Sequence, residues 1–126
     1  MYKQYRYKFY LNANHFIKIN GKDGQIHPHT WEIAIDLLEL DEGFTEFSNV
    51  EKIINTLIDG YQDKVLNDIP PFNTLNPTLE NICIYFRDLI EENMINVGYL
   101  LLTIEISETP TRSFIINLVD NLEDKA

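Results

Sequence analysis

Residues Gly21 to Leu37 read GKDGQIHPHTWEIAIDL, and the run from His29 onward alternates. Trp31, Ile33, Ile35 and Leu37 share one parity; Thr30, Glu32 and Asp36 share the other. Successive side chains of a strand point to opposite faces, so the pattern predicts a β-strand over 29–37 with one buried face. His27 and His29 stand on the apolar parity, where that face begins. Two of the chain's three histidines are thus gathered at the edge of a core.

Upstream, residues 2–19 (YKQYRYKFYLNANHFIKI) alternate over a longer stretch. Tyr5, Tyr7, Phe9, Leu11, Ala13, His15, Ile17 and Ile19 fall on one parity; Gln4, Arg6, Lys8, Asn12, Asn14 and Lys18 fall on the other. The connection NGKDG opens on Asn20-Gly21, a strong hairpin signal, and predicts that the two strands pair antiparallel. Downstream of LDEG the period becomes helical, with Val50, Ile53, Ile54, Leu57, Ile58 and Tyr61 on one stripe. Ser48 and Glu51 have the spacing of a capping box, and Thr78 is placed to cap a second helix after the Pro-rich link NDIPPFNTLNP. YLLLTIEISE and SFIINLV then read as two more strands. The order ββααββ, taken over 1–126 as a single domain, predicts an α+β fold: a four-stranded antiparallel sheet with two helices on one face.

A chain of 126 residues can bury roughly two-thirds of its unfolded surface, enough for its own core. The net charge of −10 argues against a nucleic-acid partner, since counterion release needs clustered Lys and Arg. No apolar run reaches membrane-spanning length, and MYKQYRYKFY lacks the apolar centre of a signal peptide. Cys83 has no second cysteine to pair with and lies on the stripe Leu79, Ile82, Phe86, Leu89 and Ile90, which predicts a buried structural thiol. These features predict a cytoplasmic protein without nucleic-acid or membrane partners.

If the first two strands pair across the hairpin, His15 converges with His27 and His29 at one sheet end. A lone His-x-His at a strand end is more often an ordinary surface or core pair. A third histidine at matching parity changes that balance, because three His with one open position is the donor set of a catalytic zinc site. The competing reading is a structural protein in which the histidines are incidental.

The motifs go further. NANH (12–15), then NGK (20–22) and, after four residues, HPH (27–29) before a strand resemble the 6-pyruvoyl-tetrahydropterin synthase and 6-carboxytetrahydropterin synthase family. There the pattern is Ala-x-His followed by Cys-x-x-x-His-Gly-His. LNDIPPFNTLNPTLEN (66–81) resembles the family's Leu-Asn and Asn-Pro-Thr-x-Glu-Asn segments, and IEISETPT (104–111) its pterin-holding strand end. The resemblance implies a T-fold (tunnelling) architecture, Zn2+ held by His15, His27 and His29, and a pterin bound by Glu108 and Thr109. It also implies a homotrimer or homohexamer with the site between subunits, and a place in queuosine or folate/pterin chemistry.

The chain departs from the family pattern at two catalytic places and, more mildly, at one glycine. Asp23 stands where the family has its catalytic cysteine, four residues before His27. In YQDKVLN (61–67), Gln62 and Asp63 stand where Asp-His of the family's Asp-His-x-x-Leu-Asn would lie. Pro28 replaces the glycine between the histidines. A branch that makes 6-hydroxymethyl-dihydropterin carries an acidic residue in place of the cysteine, which Asp23 is similar to. The resemblance therefore implies Asp23, Asp63 and Glu108 as catalytic groups acting on a dihydroneopterin-type side chain, as a carbon-oxygen or carbon-carbon lyase. The alternative is a catalytically silent homologue that keeps zinc and pterin.

Overall fold

A computed structural model describes residues 3–40 and 45–119. Strand β1 (Tyr5–His15) pairs antiparallel with β4 (His27–Glu39), in unbroken register from Tyr5↔Leu37 to His15↔His27. Between them β2 (Lys18–Ile19) and β3 (Lys22–Asp23) form a small hairpin of their own. The NGKDG turn closes that hairpin, not the main pair, and Asn20 and Gly21 both take positive φ (52° and 77°) as a type I′ turn demands. The first strand accordingly ends at His15 instead of continuing to Ile19; Tyr2 lies outside the described residues.

Helix α1 (Phe47–Asp59), a short 3-10 turn (Leu66–Asp68) and α2 (Leu79–Ile95) lead to β5 (Tyr99–Thr109) and β6 (Arg112–Asn117). The sheet order β1-β4-β5-β6 is antiparallel throughout. The expected α+β fold is what the chain adopts. Alternation puts Leu11, Trp31, Ile33, Ile35, Leu37, Ile104 and Ile106 on one face, and all are fully buried. Val50, Ile54 and Ile58 of α1, with Ile82, Cys83, Phe86, Ile90 and Met94 of α2, complete that core. Each large apolar side chain so buried contributes about 1.5–3 kcal/mol. Cys83 is buried as its helical position predicts, and burial pushes its thiol up to about 12.

Thr78 caps α2 as expected, its side chain accepting from Asn81 N at 3.1 Å. The expected Ser48–Glu51 capping box does not form. Helix α1 begins at Phe47 with Glu46 in the cap position and no side-chain cap bond. The Phe47 ring meets those of Tyr5 and Tyr7 edge-on, with centroids 5.5 and 6.2 Å apart, and this packing draws the helix start ahead of Ser48.

The other sheet face is polar. Arg6 donates two hydrogen bonds to Asp36 (2.7 and 3.0 Å), and Thr103 Oγ1 donates a third at 2.8 Å. Among the described residues no helix is long and apolar enough to cross a membrane.

Candidate metal centre

The three histidines meet where β1 ends and β4 starts. His15 pairs with His27 and Ala13 with His29, so one pleat parity turns all three imidazoles to the helix side of the sheet. Their nearest ligating nitrogens all lie within 4.8 Å of one another, and the rings are 4.5 to 5.1 Å apart. His15 is buried; His27 and His29 are half-buried. The hairpin that leads from one strand to the other is folded tightly. Gly24 N donates to Ile17 O at 2.8 Å, and a Cβ on Gly24 would lie 2.8 Å from that oxygen, which excludes any larger residue without movement.

Hydrogen bonds fix the tautomers. His15 Nδ1 lies 2.9 Å from Pro77 O, and His27 Nδ1 lies 2.9 Å from Gln25 O. A carbonyl only accepts, so both Nδ1 atoms carry the proton and both Nε2 atoms present lone pairs. Those two Nε2 atoms face each other at 2.9 Å. Two lone pairs at that distance call for a cation between them. A shared proton would serve, but burial, with smaller contributions from His27 and His29, pushes the His15 pKa down. A zinc ion fits: tetrahedral ligands at 2.0–2.1 Å are roughly 3.3 Å apart. A second-partner carbonyl on each ring is also the usual support of a metal-bound histidine.

The cluster opens into a hollow of about 420 Å³, bordered also by Thr78, Glu108 and Arg112. Glu108 reaches it on the parity of the buried Ile104 and Ile106, at the place where the β5–β6 register slips between Ser107 and Thr109. Trp31, one place before the Glu32↔Ser107 pair, donates Nε1–H to Glu108 Oε1 at 3.2 Å. This holds one carboxylate oxygen and orients the group.

The other expected site residues stand elsewhere. Asp23 is exposed on β3, with Lys18 Nζ 4.0 Å from its carboxylate, and does not border the histidine hollow. Asp63 takes φ 60° beside the outer edge of β1, donating its N–H to Asn12 O at 2.6 Å. It borders a second hollow with Asn12, Asn14, Pro28, Thr30 and His29, so that His29 lines both this hollow and the one that holds Glu108. Thr109 sits at the β5–β6 turn, its Oγ1 3.3 Å from that of Thr111. Within one chain, then, the fold gathers His15, His27, His29 and Glu108, leaves Asp23 and Thr109 apart, and brings Asp63 to a hollow that reaches His29 alone of the four. Sequence reading passed over Arg112; its only signal was a place directly after the ETPT turn.

A four-stranded sheet with paired helices on one face and a three-histidine cluster at its end defines a small class of α+β proteins. A sequence profile of the 6-pyruvoyl tetrahydropterin synthase family matches residues 4–118, and the chain belongs to that family. Its fold is the T-fold subunit. Similar solved structures include 6-pyruvoyl tetrahydropterin synthase from Caenorhabditis elegans, 20% identical with a TM-score of 0.77, covering 91% of this chain and 94% of that one. An uncharacterized protein from Wolinella succinogenes is 17% identical with a TM-score of 0.67, covering 91% and 97%. A catalytic-residue mutant of the Plasmodium vivax 6-pyruvoyltetrahydropterin synthase, in which a glutamate is replaced by alanine, is 12% identical with a TM-score of 0.65, covering 90% and 97%. At such identities the likeness is one of fold. A comparison with curated protein sequences returned no match.

Proposed function

We propose that this chain is a zinc-binding pterin enzyme acting on a dihydroneopterin-type substrate. The observation that carries the reading is the convergence of His15, His27 and His29, two of them with Nε2 bared by carbonyl bonds at Nδ1, on a hollow that also holds Glu108. Bound zinc would polarise a substrate oxygen or activate a water. Glu108 suits the paired N–H donors of a 2-amino-4-oxo pterin, because an ionised carboxylate accepts two parallel bonds. Asp23 is the candidate base, with Asp63 as a second acid/base group; the Plasmodium vivax protein gives a precedent for a catalytic carboxylate.

The subunit is proposed to assemble as a homotrimer or homohexamer. Among the described residues β6 has no strand partner on its outer edge, and neither has the first half of β1, as a strand-to-strand contact between copies requires. Light scattering at micromolar concentration reads this directly, and a monomer would count against it.

Metal analysis tests the central claim. Purified protein should carry near-stoichiometric zinc, and His27→Ala should lose most of it, since two imidazoles seldom hold the ion tightly. Wild-type protein with no zinc above background would overturn the reading. A second reading, a silent zinc- and pterin-binding homologue, is favoured by one observation: neither Asp23 nor Asp63 borders the histidine hollow. Turnover separates the two. The enzyme reading expects dihydroneopterin side-chain cleavage that falls ~10²–10⁴-fold in Asp23→Asn; pterin binding without any product favours the silent homologue.

A further inference from the structure

The segment between α1 and α2 runs along the outer edge of β1 and bonds to it as a neighbouring strand would, largely through side chains. Gln62 Oε1 accepts from Asn12 N at 2.8 Å while its Nε2 donates to Tyr10 O at 2.7 Å. Asn14 N then donates to Lys64 O at 2.8 Å. Asn67 Oδ1 accepts from Phe16 N at 3.0 Å and its Nδ2 donates to Phe16 O at 2.9 Å. Asn76 repeats the pattern on Lys18, at 2.9 and 3.0 Å. A primary amide carries the same donor and acceptor as a peptide group. Each of the three side chains therefore stands in for one residue of a strand that is not there.

Two of these clamps flank His15. Asn67 grips the very next residue, and Asn76 grips the chain three residues on. Asn76 also precedes Pro77, whose carbonyl bonds His15 Nδ1, and its own carbonyl accepts from Thr78 N (2.8 Å) and Asn81 Nδ2 (2.9 Å). It thus ties the strand end that carries His15 to the carbonyl that sets the tautomer of His15. Gln62 makes the same kind of bond pair farther up the edge, away from the histidines.

We propose that Asn67 and Asn76 are positioning residues for the metal centre, locking the 67–77 segment to β1 so that Pro77 O presents His15 Nε2 toward His27 and His29. The inference rests on the zinc reading above. Simple covering of a strand edge would need all three amides equally, whereas positioning of His15 needs only the two beside it.

Zinc affinity, measured by competition with a chromophoric chelator, separates these cases in wild type, Gln62→Ala, Asn67→Ala and Asn76→Ala. Loss of a group that orients a metal-bound histidine weakens binding about 10–100-fold, the effect expected for Asn76→Ala and, in the same direction, for Asn67→Ala. Gln62→Ala removes as many bonds but shares no partner with His15, so its affinity should stay within about twofold of wild type. Nitrogen-15 spectra of the metal-free protein give a second readout: His15 is a single Nδ1–H tautomer in wild type and a mixture in Asn76→Ala. Should Asn76→Ala fail to fold, wild-type hydrogen exchange decides. Linkage is reciprocal, so zinc must slow exchange at the Phe16 and Lys18 amides by about the same 10–100-fold while sparing Asn12. Equal losses in all three variants, no loss in Asn76→Ala, or uniform slowing along the edge would each overturn the proposal. A wild type that binds no zinc removes the metal reading itself, and this inference with it.

Discussion

Replacing Arg6 by Ala should destabilise the protein at neutral pH and much less in acid. Arg6 supplies two of the three hydrogen bonds that Asp36 receives, and the Asp36 side chain is only 5% exposed. Burial alone would raise the Asp36 pKa, but the bonds from Arg6 and Thr103 outweigh it and hold the carboxyl below its usual range. Hydrogen bonds to charged groups are worth about 1.5–3 kcal/mol net. The Arg6 side chain is 60% exposed, so solvent screens its half of the pair and the lower end applies. A loss of ~2 kcal/mol would lower the urea midpoint by roughly 1 M. A depressed carboxyl stabilises the fold above its unfolded pKa of about 3.9, and that contribution is lost as pH falls through the folded value. In Arg6→Ala burial wins, the folded pKa of Asp36 rises above the unfolded one, and protonation then favours the fold. Wild type and variant should therefore converge as pH falls through the carboxylate range, from the raised folded value of the variant down to the depressed folded value of wild type. Paired urea titrations across that range, at one protein concentration, are the assay. A gap that stays constant down to pH 3, or one under about 0.5 kcal/mol at pH 7, would refute the reasoning.

Cys83, with its thiol pushed up to about 12 by burial, should resist a thiol reagent at pH 8 until the protein unfolds; fast stoichiometric labelling of native protein would contradict the packing. Glu108→Gln should weaken pterin binding by ~10–100-fold, the worth of a charge-assisted bond pair, while zinc content and circular dichroism stay unchanged. A variant that loses zinc as well would show that Glu108 supports the metal centre. Zinc content should be unaffected by dilution below the concentration at which subunits separate, whereas turnover should fall with it; parallel metal analysis and activity across a dilution series read both.

What could be read in advance was set by short-range geometry. The parity of Trp31, Ile33, Ile35 and Leu37 names the buried face without knowledge of the partner. His15, His27 and His29 converge in one antiparallel register, Ala13↔His29 and His15↔His27, and their shared strand parity already places them on one face. What could not be read depends on distant partners. The capping box failed because Phe47 packs on Tyr5 and Tyr7, forty and more residues upstream. Parity puts Glu108 on the face of Ile104 and Ile106, but it carries no information about the register slip against β6 at that same place. The amides of Gln62, Asn67 and Asn76 bond to positions 50 to 58 residues away, and nothing local marks an asparagine as a peptide surrogate.

The placement of the charged groups divides the site's tasks. All three histidines and both carbonyls that orient them come from within one chain, so the donor set needs no second copy to form. The two aspartates stand outside it and are exposed, Asp23 on β3 and Asp63 beside a hollow that reaches only His29. A general base must lie within hydrogen-bond reach of the proton it takes, directly or through one water. For Asp63 to act, a neighbouring copy would have to close over it, excluding water and bringing it against a substrate held at another chain's histidines. Such closure would also supply the burial that raises a carboxyl pKa toward the range where it can take up a proton. On the proposed reading, metal binding would be a property of the fold, and proton transfer a property of the assembly.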